Sequence, residues 1–200
     1  MNNEIKKILE AVQSGNISVD DALLKIKTEP FEDIGYAKFP IDVFELCKLL
    51  DIKVIKYSEI NRDIITYAMD LSDDGFSYFN KNINQYIIFY NDIMMENRIR
   101  FTIMHEIGHI MLEHREHSTK NEIEANIFAK KLLAPLGLIH KLKLDNSIDI
   151  AENFEISFKF SQNVINQYKN AIKYPYTRDK IFNSRIVSIF KDYSIKKEIN

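Results

Sequence analysis

Cysteine occurs once in the 200 residues, at Cys47. A single thiol builds no disulfide framework and no cysteine-based metal site. Glycine and proline are scarce too, five and four respectively, and no repeat or low-complexity tract appears. Excess charge of one sign is missing: 27 basic residues face 29 acidic ones, for a formal net charge of −2. That balance argues against a broad nucleic-acid or anionic-membrane footprint. No apolar run approaches the ~20 residues that span a bilayer. The opening MNNEIKKILEAVQ carries Glu4 and Glu10 and has no continuous apolar stretch, so no signal peptide is expected. These absences place the protein in the cytoplasm. What remains is an ordinary globular composition, 46% hydrophobic and 28% charged, in a chain long enough for one main domain with small additions.

Apolar spacing sketches the organisation. Ile5, Ile8, Leu9 and Val12 recur at helical intervals, and Gly15 stops that helix. Ser18 caps a second helix carrying Ala22, Leu23 and Ile26. Residues 1–39 thus read as a helical hairpin and linker. Asp42 to Leu50 reads as a helix with Val43, Leu46 and Leu50 inward and Cys47 beside them as a buried, inert thiol. Lys53 to Tyr57, Ile64 to Leu71, Phe76 to Phe79 and Gln85 to Tyr90 read as strands of a small, mostly antiparallel sheet. Asn91 or Asp92 then caps a long helix through about His114, and a second helix runs from about Lys120 to Leu133. The fold class expected is α+β, with a domain at 40–137 and a helical C-terminal region at 138–200.

The chemistry concentrates in His105-Glu106-Ile107-Gly108-His109, an H-E-x-x-H pattern. Five histidines in 200 residues would produce it by chance in about one chain in a hundred. On a helix His105 and His109 share one face, about 6 Å apart along the axis, and two imidazoles so placed grip one metal ion. Glu106 stands about 100° around the helix, where a carboxylate can take a proton from a water at the metal. Phe101, Ile103, Met104, Ile107, Ile110 and Met111 mark a buried helix. Burying two histidines and a glutamate without a metal would require separate polar partners for each. Gly108 costs about 1 kcal/mol of helix propensity and leaves room for another element to approach.

A catalytic zinc usually has a third protein ligand. A metzincin would have His where Arg115 stands and Gly where Leu112 stands, which excludes that class. Glu113 and His114 read as part of the same helix, a turn further along, with poor reach. The next helix offers Glu122 and Glu124. Thr119 to Glu122 has capping-box spacing, which gives Glu122 a structural use. Glu124 lies between Ile127 and Phe128 on the helical wheel. Spacing favours Glu124, although the wheel alone leaves both open.

RFTIMHEIGHIML (Arg100 to Leu112) followed by EIEANIFAKKLLAP (Glu122 to Pro135) resembles the ImmA/IrrE family of metallopeptidases. Asp51 stands where that pattern often has Gly, and Met104 where it often has a small residue. The resemblance implies a gluzincin-like domain, a Zn²⁺ site of His105, His109 and Glu124, and Glu106 as general base. It also implies an intracellular endopeptidase of the kind found on phages and mobile elements, whose protein substrate is a helix-turn-helix repressor. IAENFEIS and the residues after it resemble a helix-turn-helix scaffold, with Ser157 capping its second helix. A supporting or docking role is expected there rather than direct DNA binding. GNISVDDALLKIKTEPFEDIGYAK is similar to the leader that precedes the catalytic domain of nickel-pincer cofactor carboxylases. A substrate strand is expected to pair with a sheet edge, with Gln85 to Tyr90 the candidate, and His114 and His117 are expected near the surface or behind the ligands. The competing reading is a non-proteolytic antirepressor with structural zinc, which would have no use for Glu106.

Overall fold

Residues 38–173 and 192–193 are described by the computed structural model. The N-terminal hairpin and nearly all of the leader-like segment lie outside them. The chain divides into two units, Asp42–Ala129 and the segments on either side of it.

In the Asp42–Ala129 unit, helix α1 (Val43–Leu49) begins at Asp42, whose carboxylate accepts the N–H groups of Phe44 and Glu45 at 2.9 and 3.1 Å. Val43, Leu46 and Cys47 are buried, as their spacing predicts. The helix ends at Asp51, whose φ of 54° lies in the left-handed region that Gly prefers. Strand β2 (Lys53–Lys56) leads through a short 3₁₀ turn (Tyr57–Glu59) into α2 (Arg62–Leu71). β3 (Gly75–Asn80) and β4 (Gln85–Tyr90) follow as a hairpin. The long helix α3 (Glu96–Met111) comes next, and α4 (Thr119–Leu133) belongs to this unit as far as Ala129.

The α+β class stands, with three differences of detail. Ile64 to Leu71, expected as a strand, is helix α2. Ile64 and Ile65 N–H groups bond back to the Asn61 carbonyl, and the Tyr57 hydroxyl donates to the Ser72 carbonyl at 2.9 Å, closing the helix end. The β-branched run Ile64-Ile65-Thr66 suggested a strand, but local capping overrides so weak a propensity. With that strand gone, β2 runs parallel to β4 while β3 runs antiparallel to it, in the order β2-β4-β3. β4 is therefore the central strand rather than a free edge; Ile87, Ile88 and Tyr90 are buried, as a strand covered on both faces requires. Thirdly, neither Asn91 nor Asp92 caps α3, which starts after Met95. The Asn91 amide donates to the Asp73 carbonyl, and Asp92 accepts the Ser58 N–H and hydroxyl. Both pin the turn ahead of the helix.

The flanking unit pairs β1 (Lys38–Phe39) in parallel with β5 (Asp192–Tyr193). α5 (Leu136–Lys141), α6 (Ser147–Phe154) and α7 (Phe158–Lys173) follow α4. Asn146 caps α6, and Ser157 Oγ accepts the Phe160 N–H at the start of α7. Ile150, Phe154, Ile156, Val164 and Ile165 form its buried seam, and Phe39 packs edge-on against Phe154 at 4.8 Å. No helix among the described residues is long and apolar enough to cross a membrane.

Candidate metal centre

α3 owes its position to the residues around the H-E-x-x-H motif. Ile103, Met104 and Ile107 are almost wholly buried. Each such side chain contributes about 1.5–3 kcal/mol over its exposed state. Gly75 lets the start of β3 come close to this helix: a Cβ there would sit 2.8 Å from Thr102 Cγ2 and 2.6 Å from the Phe89 carbonyl oxygen. Arg98, in the first turn, forks onto Asp74 with Nε and Nη2 at 2.6 and 2.9 Å from its carboxylate. On the other side Gly108 admits α4. A Cβ at 108 would meet Phe128 Cδ1 at 3.1 Å and the Cα and carbonyl oxygen of Ala125 at 3.3 Å. The room expected at Gly108 is filled by the helix that carries the acidic candidates.

That approach brings Glu122 over the histidine pair. His105 Nε2 and His109 Nε2 are 2.9 Å apart, and the two Glu122 carboxylate oxygens lie 3.2 and 3.4 Å from them. These three side chains form a group able to hold a metal ion. A tetrahedral ion bonded at about 2.0–2.1 Å needs donors roughly 3.3 Å apart, so the set fits Zn²⁺ in both spacing and chemistry. Glu124, the carboxylate favoured by spacing, is not in this group. Its Oε2 lies 3.2 Å from His114 Nε2 and its Oε1 3.7 Å from Lys120 Nζ. Glu124 does point inward, with only 12% of its side chain exposed, but toward a histidine behind the ligands.

Burial favours the neutral form of each histidine, the form in which His105 and His109 can ligate: it lowers the pKa values of His105, His109 and His114, with the facing imidazoles adding to the effect at His109. Glu106 is 8% exposed. Burial pushes its carboxyl up to about 7, the charge of Glu122 adds to the rise, and hydrogen bonds from the Ser77 hydroxyl and N–H oppose it. A carboxylate poised near neutrality beside a metal-ligand set is the arrangement a general base needs.

His105, Glu106, His109 and Glu122 face a cavity of about 660 Å³, walled on one side by residues 75–78 of β3 and on another by Arg115, Glu116 and His117. His117 is 98% exposed, its Nδ1 3.9 Å from Glu122. His114 lies behind the ligand candidates, one of the two places expected for it, but not on the helix. α3 stops at Met111, and Glu113 turns the chain in the left-handed region with φ 52°. The His114 ring folds back onto His109, Nδ1 to Nδ1 at 3.0 Å. Ser77 is a site residue the sequence reading did not find. Its only signal is a hydroxyl between Phe76 and Tyr78 in an aromatic strand.

A mixed three-stranded sheet, a buried H-E-x-x-H helix and a carboxylate from the next helix bring together a His-His-Glu group able to hold a metal ion, with the buried Glu106 carboxyl beside it. The profile of the IrrE N-terminal-like domain, Peptidase_M78, matches residues 47–166. The match covers more than half of the chain, and the chain belongs to this metallopeptidase family. No curated protein matches it.

Proposed function

We propose that the protein is a zinc-dependent endopeptidase. The observation that carries this reading is the place of Glu106, buried beside the His105–His109–Glu122 group and held by Ser77 of β3. A site that only stabilised the fold would be closed and would need no such base.

His105, His109 and Glu122 would hold Zn²⁺, which when bound would supply Lewis acidity toward the scissile carbonyl and the attacking water. Glu106 takes that water's proton and then delivers it to the leaving amine. Ser77 keeps the Glu106 carboxylate aimed into the cavity. β3 is the edge strand on this side, and its residues 75–78 line the cavity. An extended segment of a protein substrate laid along this edge would be held by main-chain hydrogen bonds. The resemblance of the two metal motifs to ImmA/IrrE proteins supports a cytoplasmic helix-turn-helix repressor, encoded on a phage or mobile element, as that substrate.

The test is coexpression with a helix-turn-helix repressor encoded beside this protein's gene. Wild-type protein is expected to shorten the repressor. Glu106→Gln is expected to slow cleavage by about 10²–10⁴-fold while keeping its zinc. Undiminished cleavage by Glu106→Gln, or a repressor that stays intact and bound to the wild type, would refute the reading.

A further inference from the structure

The His105–His109–Glu122 group leaves His114 and Glu124 without a part in the reaction, although both are well buried and linked to it. The backbone that brings them there is a helix-ending motif used elsewhere in the chain. At the end of α3 the His114 N–H bonds the His109 carbonyl at 3.0 Å and the Glu113 N–H bonds the Ile110 carbonyl at 3.1 Å, the paired bonds of a Schellman turn. α1 and α5 end the same way, with Ile52 bonded back to Cys47 and Leu144 bonded back to Ile139. In those two turns the facing side chains are buried and apolar, the hydrophobic contact that usually accompanies the motif. At α3 the same two positions are His109 and His114.

That substitution has a directional consequence. His109 Nε2 faces His105 Nε2 and Glu122, so a lone pair there puts the ring proton on Nδ1. The nitrogen 3.0 Å from His109 Nδ1 is His114 Nδ1, which accepts that proton. His114 must then carry its own proton on Nε2, which donates to Glu124 Oε2 at 3.2 Å. His105 differs: its ring has a hydrogen bond with the Asn126 side chain, but its Nδ1 is buried without a hydrogen-bond partner among the described residues. We propose that His114 and Glu124 are positioning residues that fix His109 as the Nδ1–H tautomer and hold its ring on the metal site.

This inference rests on the metal assignment above, and its test reads metal affinity rather than cleavage. Zn²⁺ affinity is measured by competition with a chromophoric chelator at one pH, alongside melting of the metal-free and zinc-loaded forms. His114→Ala and Glu124→Ala are expected to bind Zn²⁺ about 10–100-fold more weakly than wild type. Glu124→Gln, which keeps an acceptor but loses the charge, is expected to lose less than Glu124→Ala. Metal-free melting is expected to stay near wild type while the gain on adding Zn²⁺ shrinks. If His114→Ala does not fold, Glu124→Ala at the far end of the chain of bonds carries the test: weaker binding supports the inference and unchanged binding overturns it. Alanine variants within twofold of wild type, or alanine variants that lower only the metal-free melting temperature, overturn the inference. Wild-type protein that binds no Zn²⁺ overturns the metal assignment and this inference together.

Discussion

At the scale of single residues, two carboxylates two positions apart on one helix divide the work in a way their spacing did not show. His105, Glu106 and His109 were legible because their relation is internal to one helix, where a four-residue interval fixes a shared face. Which carboxylate joins the two histidines depends on where α4 begins. Thr119 looked like the cap, and a box from Thr119 to Glu122 would have occupied the Glu122 carboxylate. Instead Ser118 Oγ accepts the Asn121 N–H at 3.2 Å, and the Ser118 carbonyl accepts the Glu122 N–H at 3.0 Å. The cap lies one residue earlier, and the Glu122 side chain is left to reach the histidines. Glu122→Ala should therefore weaken Zn²⁺ binding by more than about 100-fold, since it removes one of three protein ligands rather than a supporting contact. Chelator competition checks this. Near-normal affinity in Glu122→Ala, together with complete loss in Glu124→Ala, would return the ligand role to Glu124.

Between elements, the close approach of α3 and α4 decides whether the site exists, because Glu122 travels with α4. Gly108 was readable as an expensive residue in a buried helix; what it makes room for, Ala125 and Phe128, was not, since nothing local names the partner. Gly108→Val would place a branched side chain where even a Cβ meets Phe128 at 3.1 Å. The variant is expected to lose about 1–3 kcal/mol of stability through overpacking and to bind Zn²⁺ more weakly because α4 and its carboxylate are pushed outward. A melting curve and a zinc titration within error of wild type would show that the two helices do not need this contact. The sheet shows a similar limit. β4 was legible by its apolar run, yet reading the Ile64 to Leu71 segment as a strand hid the parallel pairing, because a β-branched run decides less than the bonds at its ends. Scarce glycine adds one more. Asp51, Glu113, Lys143 and Glu155 sit at helix ends with φ between 52° and 54°, so the sequence carries no Gly to announce those turns. The turn that folds His114 back was invisible for that reason.

Across the whole molecule, pH acts on stability through groups far from the His105–His109–Glu122 group as well as near it. Burial pushes the Cys47 thiol up to about 12 from an ordinary 9.0, with Asp42 adding to the rise. It pushes the Tyr57 hydroxyl up to about 12 from 10.0, aided by the charges of Glu106, Asp74 and Asp73. Both groups are neutral when protonated, and the folded state keeps that proton to higher pH than the unfolded chain does. Between about pH 9 and 12 the folded protein therefore binds more protons, and stability falls as pH rises. Below pH 9 this contribution is fully present. Urea unfolding of the metal-free protein should show a midpoint that is flat from pH 7 to 8.5 and declines above 9, with Cys47→Ala flattening the first part of the decline. The same burial should keep Cys47 from reacting with a maleimide until the chain unfolds. Rapid labelling of the native protein at pH 8, or a midpoint that rises above pH 9, would show that the thiol is not held neutral in the core that supports α1.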